Sequence, residues 1–212
     1  IFAIRSSNRG LAIGATILWI VSLLLTVGII AMESNHYSRS GSDLVKNELD
    51  MITDTLFIAI NETQVREMED NVWFDFDLDD EWMFSENMTS IYGKISLDIE
   101  KASGENFYLE VDKQSKGRSW EIADENASRL NYNFRTWTNR LELDPYFSLE
   151  TDEKWRFPRV DLTLFVPEGK YIVLDKDTRE VLENVYNADN VPDWRMAGRT
   201  WQMTAEGLQL SE

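Results

Sequence analysis

The chain has 212 residues, with 21 Lys and Arg against 38 Asp and Glu, a single histidine and a formal charge of −17 at neutral pH. Without cysteine it has no disulfide, no thiolate metal centre and no cysteine nucleophile. The acidic balance excludes nucleic acid as a partner, because a phosphate polymer is held by clustered Lys and Arg that release counterions.

Residues 11–32, LAIGATILWIVSLLLTVGIIAM, run for twenty-two positions without a charge. At 1.5 Å per residue a helix of that length crosses the roughly 30 Å hydrocarbon core of a bilayer, so a transmembrane helix is expected. A cleaved signal peptide has a shorter apolar region, about 7–15 residues, and a small-x-small cleavage site. Ile29-Ile30-Ala31-Met32-Glu33 supplies no such site. Arg5 and Arg9 precede the span, no acid lies among the first thirty-two residues, and Glu33 and His36 follow it. The positive-inside rule then makes residues 1–10 a cytoplasmic juxtamembrane segment and places the rest outside the cytoplasm, and the lack of cysteine is compatible with a bacterial envelope location. Because the sequence opens at Ile1 without Met, a further cytoplasmic part and earlier spans are expected upstream. Beyond the span, nineteen basic residues face all thirty-eight acids, so residues 33–212 carry a formal −19. That field keeps the external part soluble, repels anionic headgroups and attracts cations or basic partners.

Residues 33–54 read as a linker and lead-in: the polar run ESNHYSRSG, then Leu44, Leu49, Met51 and Ile52 at a loose spacing open to a short helix or a strand. From residue 55 to 212, short apolar runs bounded by polar turns predict a β-rich external domain. The densest acidic stretch is Asp75, Asp77, Asp79, Asp80 and Glu81, flanked by Trp73, Phe74, Phe76 and Trp82. Asp75, Asp77 and Asp79, with Glu86 at the twelfth place, imitate a calcium loop and are the metal candidates. Such a loop needs glycine at its sixth position, where Asp80 stands, and the alternation fits better an edge strand with aromatics inward and carboxylates solvated.

In residues 91–100, Ile91, Gly93, Ile95, Leu97 and Ile99 alternate with polar neighbours, and Phe107, Leu109 and Val111 do the same in residues 106–113. These read as consecutive strands joined tightly through Gly104, a glycine suited to positive φ. Residues 119–130 change period: Trp120, Ala123, Ala127 and Leu130 form one face of an amphipathic helix. Strands are expected again at 131–136, 140–143, 160–166 and 171–174. Six to eight short strands with one or two short helices make one packed core, as a sandwich or as a coil of strands. No strict repeat period chooses between them.

The only histidine, His36, lies in the linker, where no packed shell orients it, so histidine-dependent catalysis is excluded in practice and no acidic pair stands out. No enzymatic activity and no cofactor are expected. Of eight tryptophans Trp19 belongs to the span, and Trp194 and Trp201 fall in a C-terminal segment with little periodicity. Those two are the candidates for a partner-binding surface.

In that segment Asp175-Lys176, residues 187–190, 194–198 and 200–208 resemble the C-terminal end of envelope proteins of the phage-shock-protein C family. Leu143-Asp144-Pro145-Tyr146-Phe147, Lys154-Trp155-Arg156, Val166-Pro167-Glu168-Gly169-Lys170-Tyr171 and Ser6-Ser7-Asn8-Arg9-Gly10 are similar to other parts of that family. The resemblance implies a toastrack external domain, a right-handed β-helix-like stack. It also implies a non-enzymatic membrane protein that senses or binds at the envelope and signals through protein contacts, with a stress regulator or with copies of itself. Two other classes stay open: a structural or adhesive surface module, and a calcium-dependent binding domain.

Overall fold

The structure is a computed structural model that describes residues 9–35, 37–50, 53–76, 82–85, 89–150 and 156–211. Helix α1 (Arg9–Asn35) is apolar all round, with Ile13, Leu18, Trp19, Leu24 and Ile29 exposed. Its stretch Ile13–Ile30 has a mean hydropathy of 2.4 and is not buried against protein. Such a helix fits a membrane span, where lipid covers the side chains and each backbone group is bonded within the helix. The hydroxyl of Thr26 donates to the carbonyl of Ser22 (2.9 Å), so this polar group is also satisfied internally.

The chain continues through β1 (Arg39–Leu49), β2 (Thr55–Ile60), α2 (Glu62–Asn71), β3 (Val72–Phe76), β4 (Trp82–Ser85), β5 (Ser90–Lys94), β6 (Ser96–Lys101) and β7 (Phe107–Gly117). Helix α3 (Trp120–Ser128) precedes β8 (Phe134–Trp137), β9 (Arg140–Leu143), β10 (Tyr146–Glu150), β11 (Arg159–Val166) and β12 (Tyr171–Leu174). Short 3₁₀ turns at Lys176–Glu180 and Asp193–Arg195 lead to β13 (Thr200–Thr204) and β14 (Gly207–Leu210). The protein is mainly β, and its strands form three open sheets ordered β1-β7-β11-β6, β10-β5-β4-β3 and β14-β13-β12-β2-β9-β8.

Two expectations change in the first sheet. The stretch read as linker and lead-in holds β1, antiparallel to β7 from Arg39 opposite Gly117 to Leu49 opposite Phe107. And β6 and β7, though consecutive, are not partners, because β11 lies between them, parallel to β6 and antiparallel to β7. The insertion builds rows of side chains across three strands: Leu97, Leu162 and Val111, then Ile99, Leu164 and Leu109, none more than 3% exposed. Each such side chain contributes about 1.5–3 kcal/mol by leaving water, which is more than an isolated hairpin could bury. Gly104, in the connection, is not among the positive-φ residues; Gly169, in the turn between β11 and β12, is, at φ 84°.

In the third sheet β2 is parallel to both β12 and β9. Parallel pairs weigh against the sandwich alternative, which is built from antiparallel sheets. Leu56 and Ile58 of β2, Phe147 of β10 and Leu109 of β7 belong to one core, so the three sheets enclose it together. The strand expected at 131–136 is shorter and later: β8 starts at Phe134, and Asn131 makes only an isolated bridge to Ser148. Helix α2, unforeseen in the sequence, is preceded by Asn61, whose side-chain oxygen accepts from the amide of Thr63 (3.1 Å). The amide group of Asn61 donates to Asp144 (2.7 Å), tying the helix to the β9–β10 turn.

Helix α3 forms where its period predicted, capped by the hydroxyl of Ser119 accepting from the amide of Ile122 (3.4 Å). Ala123 and Ala127 are fully buried, but Trp120 is not on the buried face: it is 56% exposed, with the Arg39 guanidinium 5.2 Å above its ring. The helix comes so close to the sheet that a Cβ on Gly41 would stand 2.4 Å from the backbone nitrogen of Asp124, and one on Gly117 2.6 Å from that of Ala123.

Candidate functional site

Asp77, Asp79 and Glu86 lie outside the described residues, as does the side chain of Asp75. Strand β3, which carries Asp75, ends its sheet and pairs with β4 alone among the described residues. Among the described residues no group of three His, Cys, Asp or Glu is placed to hold a metal ion.

The two C-terminal tryptophans have opposite environments. Trp201 is a core residue rather than a surface one: it is fully buried on β13, and its indole nitrogen donates to the carbonyl of Met196 (3.0 Å). Buried Trp201 and Met203 alternate with half-buried Thr200, Gln202 and Thr204, a short strand pattern that the surrounding loops hide. Trp194 sits on the 3₁₀ turn, 53% exposed, with the Arg195 guanidinium 4.4 Å over its ring. Asn187 holds the loop that presents it. Its side chain donates to the carbonyl of Val191 (2.7 Å) and accepts from the same residue's amide (2.7 Å), and its backbone bridges to Leu208.

Beside this loop runs an acidic groove that sequence reasoning missed. The segment after the first 3₁₀ turn lies along the open edge of β6, where Leu97 donates to the carbonyl of Val181 (2.7 Å) and accepts from the amide of Glu183 (3.0 Å). This juxtaposition lines a cavity of about 430 Å³ with Asp98, Glu100, Lys101, Tyr186, Met203 and Glu206. Tyr186, 68% exposed, lies over Gly207, where a Cβ would come 2.8 Å from its ring. Chemically the groove offers carboxylates beside an exposed phenol ring and, on the adjoining loop, Trp194. That set suits contact with a basic protein surface. No sequence signal foretold it, since its acids come from segments about a hundred residues apart.

Burial raises the Asp98 carboxyl above its ordinary value of 3.8, a hydrogen bond from the Ile99 amide opposes the rise, and repulsion from Glu100 and Asp193 adds to it. The folded state therefore holds this proton more tightly than the unfolded chain does. The stability so contributed is complete below 3.8 and is lost as pH rises through the higher folded value. Asp98→Asn, which keeps an acceptor for the Ile99 amide, is expected to exceed the parent in stability at neutral pH. Urea midpoints measured across pH should show the gap closing as pH falls toward 3.8.

A family model described as the ToastRack found in some PspC matches residues 84–211, more than half of the chain. No curated protein and no solved structure matches it. The matched region takes in the groove, the Trp194 loop and every strand from β5 onward. PspC-type proteins are membrane associated, in keeping with α1, and their toastrack domain is not an enzymatic family. By this match the chain belongs to the toastrack family found in some PspC proteins.

Proposed function

We propose that the chain is a membrane span with the external domain of a phage-shock-type envelope-stress protein, without catalytic activity of its own. In this reading α1 crosses the bacterial inner membrane with Arg5 and Arg9 on the cytoplasmic side, and the toastrack domain stands in the periplasm. It senses or binds at the envelope and relays the state through protein contacts, to a stress regulator or to further copies of itself. The groove edged by Asp98, Tyr186 and Glu206, with Trp194 beside it, is the surface we assign to a basic partner. We also read the parallel pairings β6/β11, β2/β12 and β2/β9 as turns of a β-helix-like stack.

The observation that carries the signalling reading is the join between span and domain. Only residues 36–38 separate the last residue of α1 from the first of β1, and β1 is paired with β7 from that first residue on. A displacement of the domain therefore has little slack in which to dissipate before it tilts or rotates the span. A single span couples two sides of a membrane only if its states differ in such an arrangement. Inserting a flexible Gly/Ser segment of about ten residues after Ser38 supplies that slack, since such a chain behaves as a random coil. In cells, crosslinks to the regulator should then no longer change with envelope stress, while the domain melts as before. A full stress response in the insertion variant would sink the proposal.

A further inference from the structure

We infer that the membrane-proximal end of the toastrack domain is a lipid-docking face, which seats Tyr37, Trp120 and Phe157 at the bilayer interface and places Arg39, Lys116 and Arg118 against anionic phospholipid headgroups. The inference rests on reading α1 as a span and goes beyond it, because a span requires only a tether.

The position follows from chain length. Helix α1 continues five residues past Ile30, the end of its apolar window, or about 8 Å at the helical rise. The headgroup layer adds roughly 5–8 Å on each side of the hydrocarbon core. Tyr37 and Arg39 thus emerge at the outer edge of the headgroups, and whatever packs on them is held at that level.

What packs on them is unusual for this domain. The ring of Phe157 meets Tyr37 edge-on with centroids 5.6 Å apart, and the Lys116 ammonium stands over the Phe157 ring, 4.7 Å from its centroid. Phe157 is 54% exposed and adopts φ 51°, a left-handed conformation that an aromatic residue rarely takes, and it does so directly before Pro158, which disfavours helical backbone in the preceding residue. Strain of that kind costs about 1–3 kcal/mol and concentrates at functional positions. Trp120 is held under Arg39 by the tight approach of α3 to Gly41 and Gly117, and it is a second large aromatic left in solvent among the described residues here. Aromatic rings with a polar rim are the side chains that settle at membrane interfaces.

The charge is local and opposite to that of the whole. In a domain of formal charge −19, this end gathers Arg39, Lys116, Arg118 and Arg156. Two nearby acids keep their charge but are outnumbered by these four cations: Asp124 accepts from the amide of Ser42 (3.1 Å), and Glu121 accepts from its own amide and the Ser119 hydroxyl. Each cation near an anionic surface contributes about 1 kcal/mol, so a few of them with three aromatics suffice for reversible seating once the span abolishes the cost of encounter. The rest of the acidic domain is repelled by the same surface, which orients the domain with this end down.

The absence of cysteine makes single labels straightforward. The full chain, placed in nanodiscs of zwitterionic lipid or of lipid with added phosphatidylglycerol, would carry a bimane at Trp120→Cys, at Leu24→Cys in the span, or at Glu105→Cys beyond the far end of β7, with nitroxide headgroup lipids as quencher. Circular dichroism would confirm that each variant is folded. In anionic discs the label at 120 is expected to be quenched about threefold more than that at 105, as for a side chain at the interface. The excess should disappear in zwitterionic discs and when Lys116→Glu and Arg118→Glu are combined with the label. Equal quenching at 120 and 105, with quenching at 24 retained, would overturn docking and leave the span intact. Loss of quenching at 24 would overturn the span itself. An excess at 120 that ignores phosphatidylglycerol, or protection at 120 without lipid quenching, as a second copy would give, would also overturn the assignment.

Discussion

Gly41→Val is expected to lift α3 from the first sheet and to destabilise the fold by about 3 kcal/mol, the upper part of the range for forcing bulk into a close-packed site. The reason is what the new atoms would meet. At Gly41 a Cβ would meet the Asp124 Oδ1 at 2.4 Å and, decisively, two backbone atoms, the nitrogen of Asp124 and the carbonyl carbon of Ala123, at 2.4 and 2.5 Å. A helix backbone cannot rotate aside as a side chain can, so the whole of α3 must move, and buried Ala123 and Ala127 lose their contacts. Gly104→Ala is the control: nothing lies within 4 Å of its Cβ, and its φ is not positive. Its effect should stay within about 0.5 kcal/mol. Denaturant melts of the detergent-solubilised full chain measure both, and amide exchange should show protection lost first in α3.

The second large effect separates the two C-terminal tryptophans. Trp201→Ala is expected to cost about 3–5 kcal/mol, the usual range for removing a buried aromatic. The cost includes the Met196 carbonyl, which loses the indole donor inside the core. Trp194→Ala removes a ring more than half exposed and should change stability by less than about 0.5 kcal/mol. Under the function proposed above, its consequence is instead weaker capture of the basic partner. Equal destabilisation by the two substitutions in the same melts would show that the loop holding Trp194 is packed otherwise than described.

What could be read from the sequence was what burial writes at close range. Leu97 and Ile99, Phe107, Leu109 and Val111, and the Val160-Leu162-Leu164-Val166 run are buried at every second residue, so their strands declared themselves. So did the face of α3 carried by Ala123 and Ala127. Strand β1 did not, because it is an edge strand whose Leu44 and Val45 are both exposed, so its pattern lacks an inner face along much of its length. Trp120 was misplaced because it opens the helix, where its ring swings to Arg39 rather than inward. The pairing of β11 between β6 and β7 had no local trace at all, and the groove inherits that silence. Only the resemblance of short motifs reached the toastrack family ahead of the structure.

The place of β2 has a consequence for how the molecule is made. Its partners arrive late: Asn61, next to β2, waits 83 residues for Asp144 on the β9 side, and Asp54 waits 116 residues for Lys170 on the β12 side. Strand β11 likewise completes the first sheet only after β1, β6 and β7 have emerged. If α1 spans a membrane as proposed, the chain is anchored there long before it can close its sheets, with apolar strand edges open meanwhile. Loop closure over such separations is slow, and the half-built state is prone to aggregation. In the topology proposed above, envelope proteases and chaperones would meet this protein first as a tethered, unfinished chain, and its yield would depend on how quickly residues 159–210 reach their partners.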